Sequence, residues 1–348
     1  MRRLPLGVLG FGRLGSLHAR NIARYPGAEL IAVCDPDPLA LDRAESEYSP
    51  ILLTRDLDYF LALPIEGVVI ATNTEMHLEH IRAVARAGKA IFTEKPVGLT
   101  LVETDTALQE VVNADVPFQI GFQRRWDARY RQARSLIENG QIGEPVLFKA
   151  FGRDPSASDP ANWGLGKNGG IFLNCAIHDF DAARYLLGQE VDWVTATGGA
   201  LVHTGLVGFG DADTASTTMF FSGGAMAMTE WSRYAAYGYD VGMEVVGTGG
   251  VIRFRSSSST PNALMLNNTG LVVHTPYGRT PTVFTVFEEA FQSAIEGFVD
   301  AVAAGRNPSP GVQDARVSLQ VALAARASFE WVGERVPVRP LPPLVRRT

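Results

Sequence analysis

The sequence predicts an α/β protein in two parts: an N-terminal doubly wound parallel sheet, then a C-terminal α/β domain with a large, mainly antiparallel sheet. Three observations carry this. The run Gly10-Phe11-Gly12-Arg13-Leu14-Gly15 stands between a strand-like apolar stretch and a helix-like segment. Strand and helix patterns then alternate through residue 122. Beyond that point come short runs rich in Thr, Val, Phe, Met and Gly, separated by glycine turns. At 348 residues the chain is long for one core. The pattern divides it into 1–122, 123–335 and a Pro/Arg-rich tail, 336–348.

The elements follow in order. Leu6-Gly7-Val8-Leu9 closes the first strand, and a helix from about Leu14 to Arg24 follows the glycines. Leu30 to Cys34 is a strand ending at Asp35, and Pro36 and Pro38 open a short helix through Leu39, Leu41 and Ala44. Gly67 to Ala71 reads as a buried strand. Thr74 is expected to cap a helix carrying Met76, His77, Ile81, Val84 and Ala85, which Gly88 ends. Ala90 to Thr93 is the next strand. Thr100 and Glu103 have capping-box spacing at the start of a helix reaching about Asn113, and Phe118 to Phe122 is the last strand.

From Val146 to about His274, runs such as Ser216-Thr217-Thr218-Met219-Phe220-Phe221 predict the antiparallel sheet, with turns at Gly223-Gly224 and Gly247-Thr248-Gly249-Gly250. Helices are expected around Asn174–Leu187, Phe284–Ala304 and Val312–Trp331, the last returning toward the first domain. The tail reads as extended chain packed on the surface, with a PxxP-type ligand as the alternative.

Composition narrows the function classes. A net charge of −6 and a pI near 5.6 argue against nucleic-acid binding, which normally shows a basic surface. Cys34 and Cys175 cannot make a disulfide framework and suit a reducing cytoplasm; no Cys/His cluster suggests a metal site. The basic start is followed by too short an apolar stretch for a signal peptide, and no run has the length to cross a bilayer.

The glycine spacing has a chemical reason. Gly10 allows the tight turn, Gly12 lets the backbone approach a pyrophosphate, and Gly15 lets helix and strand pack closely. The helix that follows turns its free amides and positive dipole end toward the phosphates. Asp35 stands 25 positions after Gly10, close to the usual spacing of about 20. A carboxylate there accepts hydrogen bonds from the ribose hydroxyls of NAD and repels the 2′-phosphate of NADP. Asp37 follows rather than a cation, although a neighbouring loop could supply one for NADP.

Three further segments carry candidate chemistry. Glu94-Lys95-Pro96 sits at the C-terminal end of a parallel strand, the edge where open α/β sheets bind ligands. A lysine there can stabilise a developing alkoxide; the alternative is a surface lysine before a loop. In Gly169–Asp181, helical spacing puts Asn174, His178 and Asp181 on one face and Ala176, Phe180, Ala183 and Leu187 on the other. His178 is then a candidate base; the alternative is a capping Asn and a structural His. Arg124 and Arg125 can bind a hydroxyl-rich or anionic ligand, or make inter-domain salt bridges. The loop from Asp154 to Asn168 is expected to cover the substrate.

The glycine loop, Ala71-Thr72-Asn73-Thr74 with His77, Glu94-Lys95-Pro96, Gly121-Phe122-Gln123-Arg124-Arg125 and Gly169–Asp181 occur in the order seen in the Gfo/Idh/MocA oxidoreductases. The chain resembles in particular the inositol 2-dehydrogenases of that family, over about 330 residues that include Glu244–Gly250 and the C-terminal helix. The resemblance implies a Rossmann domain, and a second domain whose open sheet makes homodimer and homotetramer contacts. It implies cofactor contacts from Gly10 to Gly15 and from Asp35, Thr72, Asn73, His77, Glu94 and Lys95. For the catalytic group it implies the lysine, an aspartate and a histidine four residues later. Lys95 and His178 match, whereas Asn174 stands at the aspartate position. It further implies that Arg124, Arg125, Asn174, His178, Tyr237 and Tyr239 line the substrate site. The expected activity is NAD-dependent oxidation of a secondary hydroxyl in a cyclic polyol or sugar. The alternatives are an NADP-linked sugar oxidoreductase and a ligand sensor without turnover.

Overall fold

The computed structural model describes residues 3–48, 51–155, 169–235, 238–256, 263–265 and 282–347. The chain forms two compact units: residues 1–123 with 289–317 and 341–348, and residues 124–288 with 318–340.

In the first unit the expected alternation is realised as β1 (Leu4–Leu9), α1 (Arg13–Arg24), β2 (Ala28–Cys34), α2 (Pro38–Glu47), β3 (Leu52–Thr54), α3 (Leu57–Ala62), β4 (Gly67–Ile70), α4 (Thr74–Arg86), β5 (Ala90–Thr93), α5 (Leu101–Ala114) and β6 (Phe118–Ile120). The sheet order is β3-β2-β1-β4-β5-β6, every neighbouring pair parallel. The order reverses between β1 and β4, the switch point at which such sheets bind ligands. β4 and β5 are buried throughout, as a sheet covered on both faces requires.

In this unit two elements escape the sequence reading, and one cap is displaced. β3 and α3 are too short to show a period; Asp56 starts α3 by accepting from the Tyr59 N–H at 2.9 Å. Asn73, not Thr74, holds the cap position of α4, and Thr74 is its first helical residue. The Thr100/Glu103 capping box forms as expected, and Gly88 follows α4 at φ +68°.

Later segments complete this unit. α9 (Glu288–Ala303) packs Phe298 on Phe92 at 5.9 Å between ring centroids, and the Gln119 amide donates to Ala294 O at 2.9 Å. The opening residues of α10 (Val312–Glu330) also belong here. Buried Arg316 clasps Asp105 through two bonds, 2.7 and 3.0 Å, and donates to Pro342 O in the tail at 2.7 Å.

The second unit is built on β7 (Pro145–Arg153), β8 (Val191–Gly199), β9 (Thr214–Phe221), β10 (Met226–Ser232), β11 (Asp240–Gly247), β12 (Val251–Arg255), β13 (Ala263–Met265) and β14 (Val336–Pro337). Among the described residues the order is β13-β12-β11-β7-β10-β9-β8-β14, antiparallel except for the β7–β10 pair. Burial alternates along β9 and β10, as expected of strands with one face on a core. α6 (Ala128–Glu138), α7 (Ile177–Leu187) and the single turn α8 (Val283–Val286) accompany the sheet. At Gly152 a Cβ would stand 2.4 Å from the Trp231 indole, so the missing side chain is what seats that ring. The tail is more than surface packing: Val336–Pro337 adds an edge strand to β8.

No described helix is long and apolar enough to cross a membrane, and no described group of three or more His, Cys, Asp or Glu could hold a metal ion. Phe298 is fully buried. Phe298→Ala should cost about 3–5 kcal/mol of stability, read from denaturant unfolding.

Candidate active site

The predicted residues fall in both units. In the first unit the glycines divide their work as their spacing demands. Gly10 has φ +89°, and a Cβ there would lie 2.8 Å from Thr72 Cγ2. A Cβ on Gly15 would lie 1.8 Å from the Gly10 carbonyl oxygen, so any side chain would push α1 off the end of β1. Nothing lies within 4 Å of the Cβ position of Gly12. Gly12 is the cap residue of α1 and offers no side-chain cap. Phe11 is buried, Arg13 exposed and Leu14 half-buried. The Asp35 carboxylate accepts the Phe11 N–H at 2.6 Å and the Asp37 N–H at 2.8 Å, tying the loop to the end of β2.

At the end of β5, Glu94 turns inward and pairs with His18 of α1, Oε1 to Nε2 2.8 Å, both buried. Gly121 makes room for it: a Cβ there would meet the carboxylate at 3.0 Å. The His77 ring is enclosed, its Nδ1 2.7 Å from Pro96 O and its Nε2 3.0 Å from Thr72 O. Burial lowers its pKa, and the two backbone carbonyls pull against that shift. Glu94 and His77 therefore act on internal partners and brace the loop that carries half-buried Lys95. Thr72 is half-buried, its hydroxyl 3.0 Å from His80 Nδ1, and Asn73 is exposed.

In the second unit, the Asn174–His178 segment differs from the helix read off the sequence. The helical run spans 170–187, and Phe172–Ala176 is a π-helix, with the Ile177 N–H donating to Phe172 O five residues back. The wider turn rotates the residues before Ile177 relative to an α-helical wheel. The expected amphipathic split is also absent. α7 is buried on nearly every side, His178, Asp179 and Asp181 included. Asn174 is half-buried and sits inside the π-turn, not at a helix start.

The carboxylates of α7 are committed to arginines of the same unit. Asp179 pairs with Arg124 and accepts the Trp231 indole N–H. Burial pushes its carboxyl pKa up, and those two donors pull against that shift. Arg124 lies among the rings of Tyr130, Trp231 and Phe287, 5.7–6.0 Å from their centroids. The Arg125 fork grips Asp181 at 2.7 and 2.8 Å, and the Ser318 hydroxyl donates to the same carboxylate at 3.1 Å. Tyr239 is buried edge-on to Phe287, and burial raises its hydroxyl pKa. Tyr237 and residues 156–168 of the loop lie outside the described residues.

Comparison with known proteins agrees with these assignments of fold. Residues 4–122 match the model of an oxidoreductase family with an NAD-binding Rossmann fold, and residues 130–253 match the GFO/IDH/MocA C-terminal domain. The scyllo-inositol 2-dehydrogenase (NAD(+)) of Bacillus subtilis is 37% identical over 324 residues, 92% of this chain and 93% of that protein. The inositol 2-dehydrogenase of Rhizobium meliloti is 36% identical over 92% of this chain and 94% of its own. The crystal structure of scyllo-inositol dehydrogenase from Lactobacillus casei with bound NAD(H) and scyllo-inositol superposes with a TM-score of 0.83. It is 29% identical, over 97% of this chain and 99% of that one.

His18 and Trp231 are the supporting residues that sequence reading missed. His18 had a readable signal, a titratable group three residues past Gly15 on the inward face of α1; Trp231, 52 residues from Asp179, had none. The Arg124–Asp179 pair sets a test. Asp179→Asn leaves a buried guanidinium without its counter-charge and should cost about 3–5 kcal/mol, read from chemical denaturation. Arg124→Met in the same chain should restore most of that loss.

Proposed function

The chain belongs to the Gfo/Idh/MocA oxidoreductases, and on that premise we propose that it is an NAD-dependent dehydrogenase oxidising a secondary hydroxyl of an inositol-like cyclic polyol to the ketone. The observation that carries the reading is the retention of Lys95 and His178 in a chain similar along nine-tenths of its length to inositol dehydrogenases.

The glycine loop fits a dinucleotide. Gly12 leaves open space where a side chain would stand, and the α1 amides carry no side-chain cap. Gly10, Phe11, Gly12, Arg13, Leu14 and Gly15 would hold the pyrophosphate. Asp35, each of whose oxygens keeps capacity beyond one backbone bond, would take the ribose hydroxyls. Thr72, Asn73 and the Glu94–Lys95 strand end would flank the nicotinamide side. When bound, NAD supplies the acceptor for the hydride at its nicotinamide ring.

The protein supplies the rest. His178 takes the hydroxyl proton on its imidazole. We assign the Lys95 ammonium to stabilising the negative charge that grows on the hydroxyl oxygen as its proton leaves, a charge that is discharged into the ketone as the hydride departs. Asn174 orients a hydroxyl by hydrogen bonding, but its amide cannot take a proton or stabilise an imidazolium by charge. We assign Tyr239, together with Tyr237, to recognition of the polyol. Arg124 and Arg125, expected to touch substrate, are assigned instead to the support of α7, because Asp179 and Asp181 hold them. We place the protein in the cytoplasm and assign it a homodimeric or homotetrameric state through the second sheet, which exposes Val146 and Met228.

A second reading, a ligand sensor without turnover, rests on Asn174. Purified protein incubated with NAD and a panel of inositols and aldoses distinguishes the two by absorbance of reduced nicotinamide. Dehydrogenation of an inositol supports the proposal; tight NAD binding with no reduction by any of them favours the sensor. Lys95→Ala and His178→Ala should each lower kcat by about 10²–10⁴-fold with NAD affinity unchanged. Near-normal turnover in either variant would remove that residue from the mechanism.

A further inference from the structure

We infer that Asp211 and Arg233 form a non-local anchor that positions the helical run carrying Asn174 and His178; the inference rests on the dehydrogenase reading above. The run opens at Gly169 and Gly170, both in the left-handed region at φ +79° and +74° and neither with a side chain to cap it. The amides at a helix start need acceptors. Here the acceptor comes from 40 residues away: Asp211 Oδ1 takes the Ile171 N–H at 2.9 Å and its own neighbour's, Ala212, at 2.8 Å. Asp211 Oδ2 accepts from Arg233 Nη1 at 2.7 Å.

Both side chains of the anchor are buried, Asp211 at 5% exposure and Arg233 at 2%. A buried carboxylate at a helix start gains from the dipole, and Arg233 neutralises the charge that burial would otherwise penalise. The anchor is itself held in place. The Arg233 N–H donates to Asp213 O at 2.8 Å, and the Asp213 carboxylate accepts the N–H groups of Leu201, Val202 and His203 at 2.7–3.1 Å. The fixed end therefore reaches from β10 into the chain between β8 and β9.

What the anchor holds is an uncommon geometry. π-turns are short excursions from the α-helix, so contacts outside the helix must help retain one. Asn174 lies three residues after Ile171 and His178 seven, with the π-turn between them. A shift at Ile171 passes straight to both side chains, and a displacement of about 1 Å at a reacting group costs on the order of 100-fold in rate. Neither residue needs to touch substrate; each acts through the helix.

Asp211→Asn keeps an oxygen for Ile171 and discards the charge, Arg233→Met removes the partner, and Arg233→Lys keeps a cation. The first two should lower kcat for polyol oxidation by about 10–100-fold with NAD affinity unchanged, and should speed amide hydrogen exchange across 169–187. Arg233→Lys should recover part of both losses. In a His178→Ala background Asp211→Asn should cause a smaller further loss, because one of the two residues it positions is gone. Turnover and exchange both unchanged would overturn the anchor. So would an equal further loss in the His178→Ala background, or a fall in NAD affinity matching the fall in kcat. If Arg233→Met does not fold, Arg233→Lys and Asp211→Asn carry the test. A wild-type protein that oxidises no polyol overturns the functional reading alone. The exchange of 169–187 then decides the anchor, faster in its favour and unchanged against it.

Discussion

The first unit depends on one close approach. The α carbon of Gly15 lies so near the Gly10 carbonyl that no side chain fits between α1 and the end of β1. That contact sets where α1 begins and which way it points. Its uncapped amides then stand at the switch point of the sheet, beside the open space over Gly12. One turn further on it places His18 where Glu94 can reach it. Glu94 in turn fixes the strand end that carries Lys95. The open start of α1 and the strand end that carries Lys95 thus share a single steric origin.

The two helix starts that matter are satisfied in opposite ways. α1 opens without a side-chain cap, the kind of helix start that suits an anionic ligand. The helical run at 170–187 has its Ile171 donor bound by a buried carboxylate drawn from a distant loop. An open start suits a site that exchanges its ligand, and a closed one suits a helix whose side chains must not move. The arginines at 124 and 125 add to the second effect by committing the Asp179 and Asp181 carboxylates. In consequence both carboxylates are committed to partners within their own unit.

Local signals made most of the fold legible. The parallel sheet announced itself because each buried strand is a continuous apolar run and each crossover has a helical period, as in Val68-Val69-Ile70 followed by Ile81, Val84 and Ala85. β3 and α3 were invisible because a run of three to six residues has no measurable period. In the site, glycine spacing and the Glu94-Lys95-Pro96 placement were readable. The π-turn was not: it depends on tertiary contacts, and no local pattern of Phe172–Ala176 separates it from an α-helix. The Asp211–Ile171 bond was equally hidden, since its partners are joined only by the folded chain.

The central claim is that this constellation performs hydride chemistry and does not merely bind. Myo- or scyllo-inositol deuterated at its ring carbons, incubated with the protein and NAD, tests it most directly. The account predicts that the reduced nicotinamide recovered carries one deuterium, read by mass spectrometry. NAD and inositol both bound and both recovered unchanged, with no label on the nicotinamide, would contradict it.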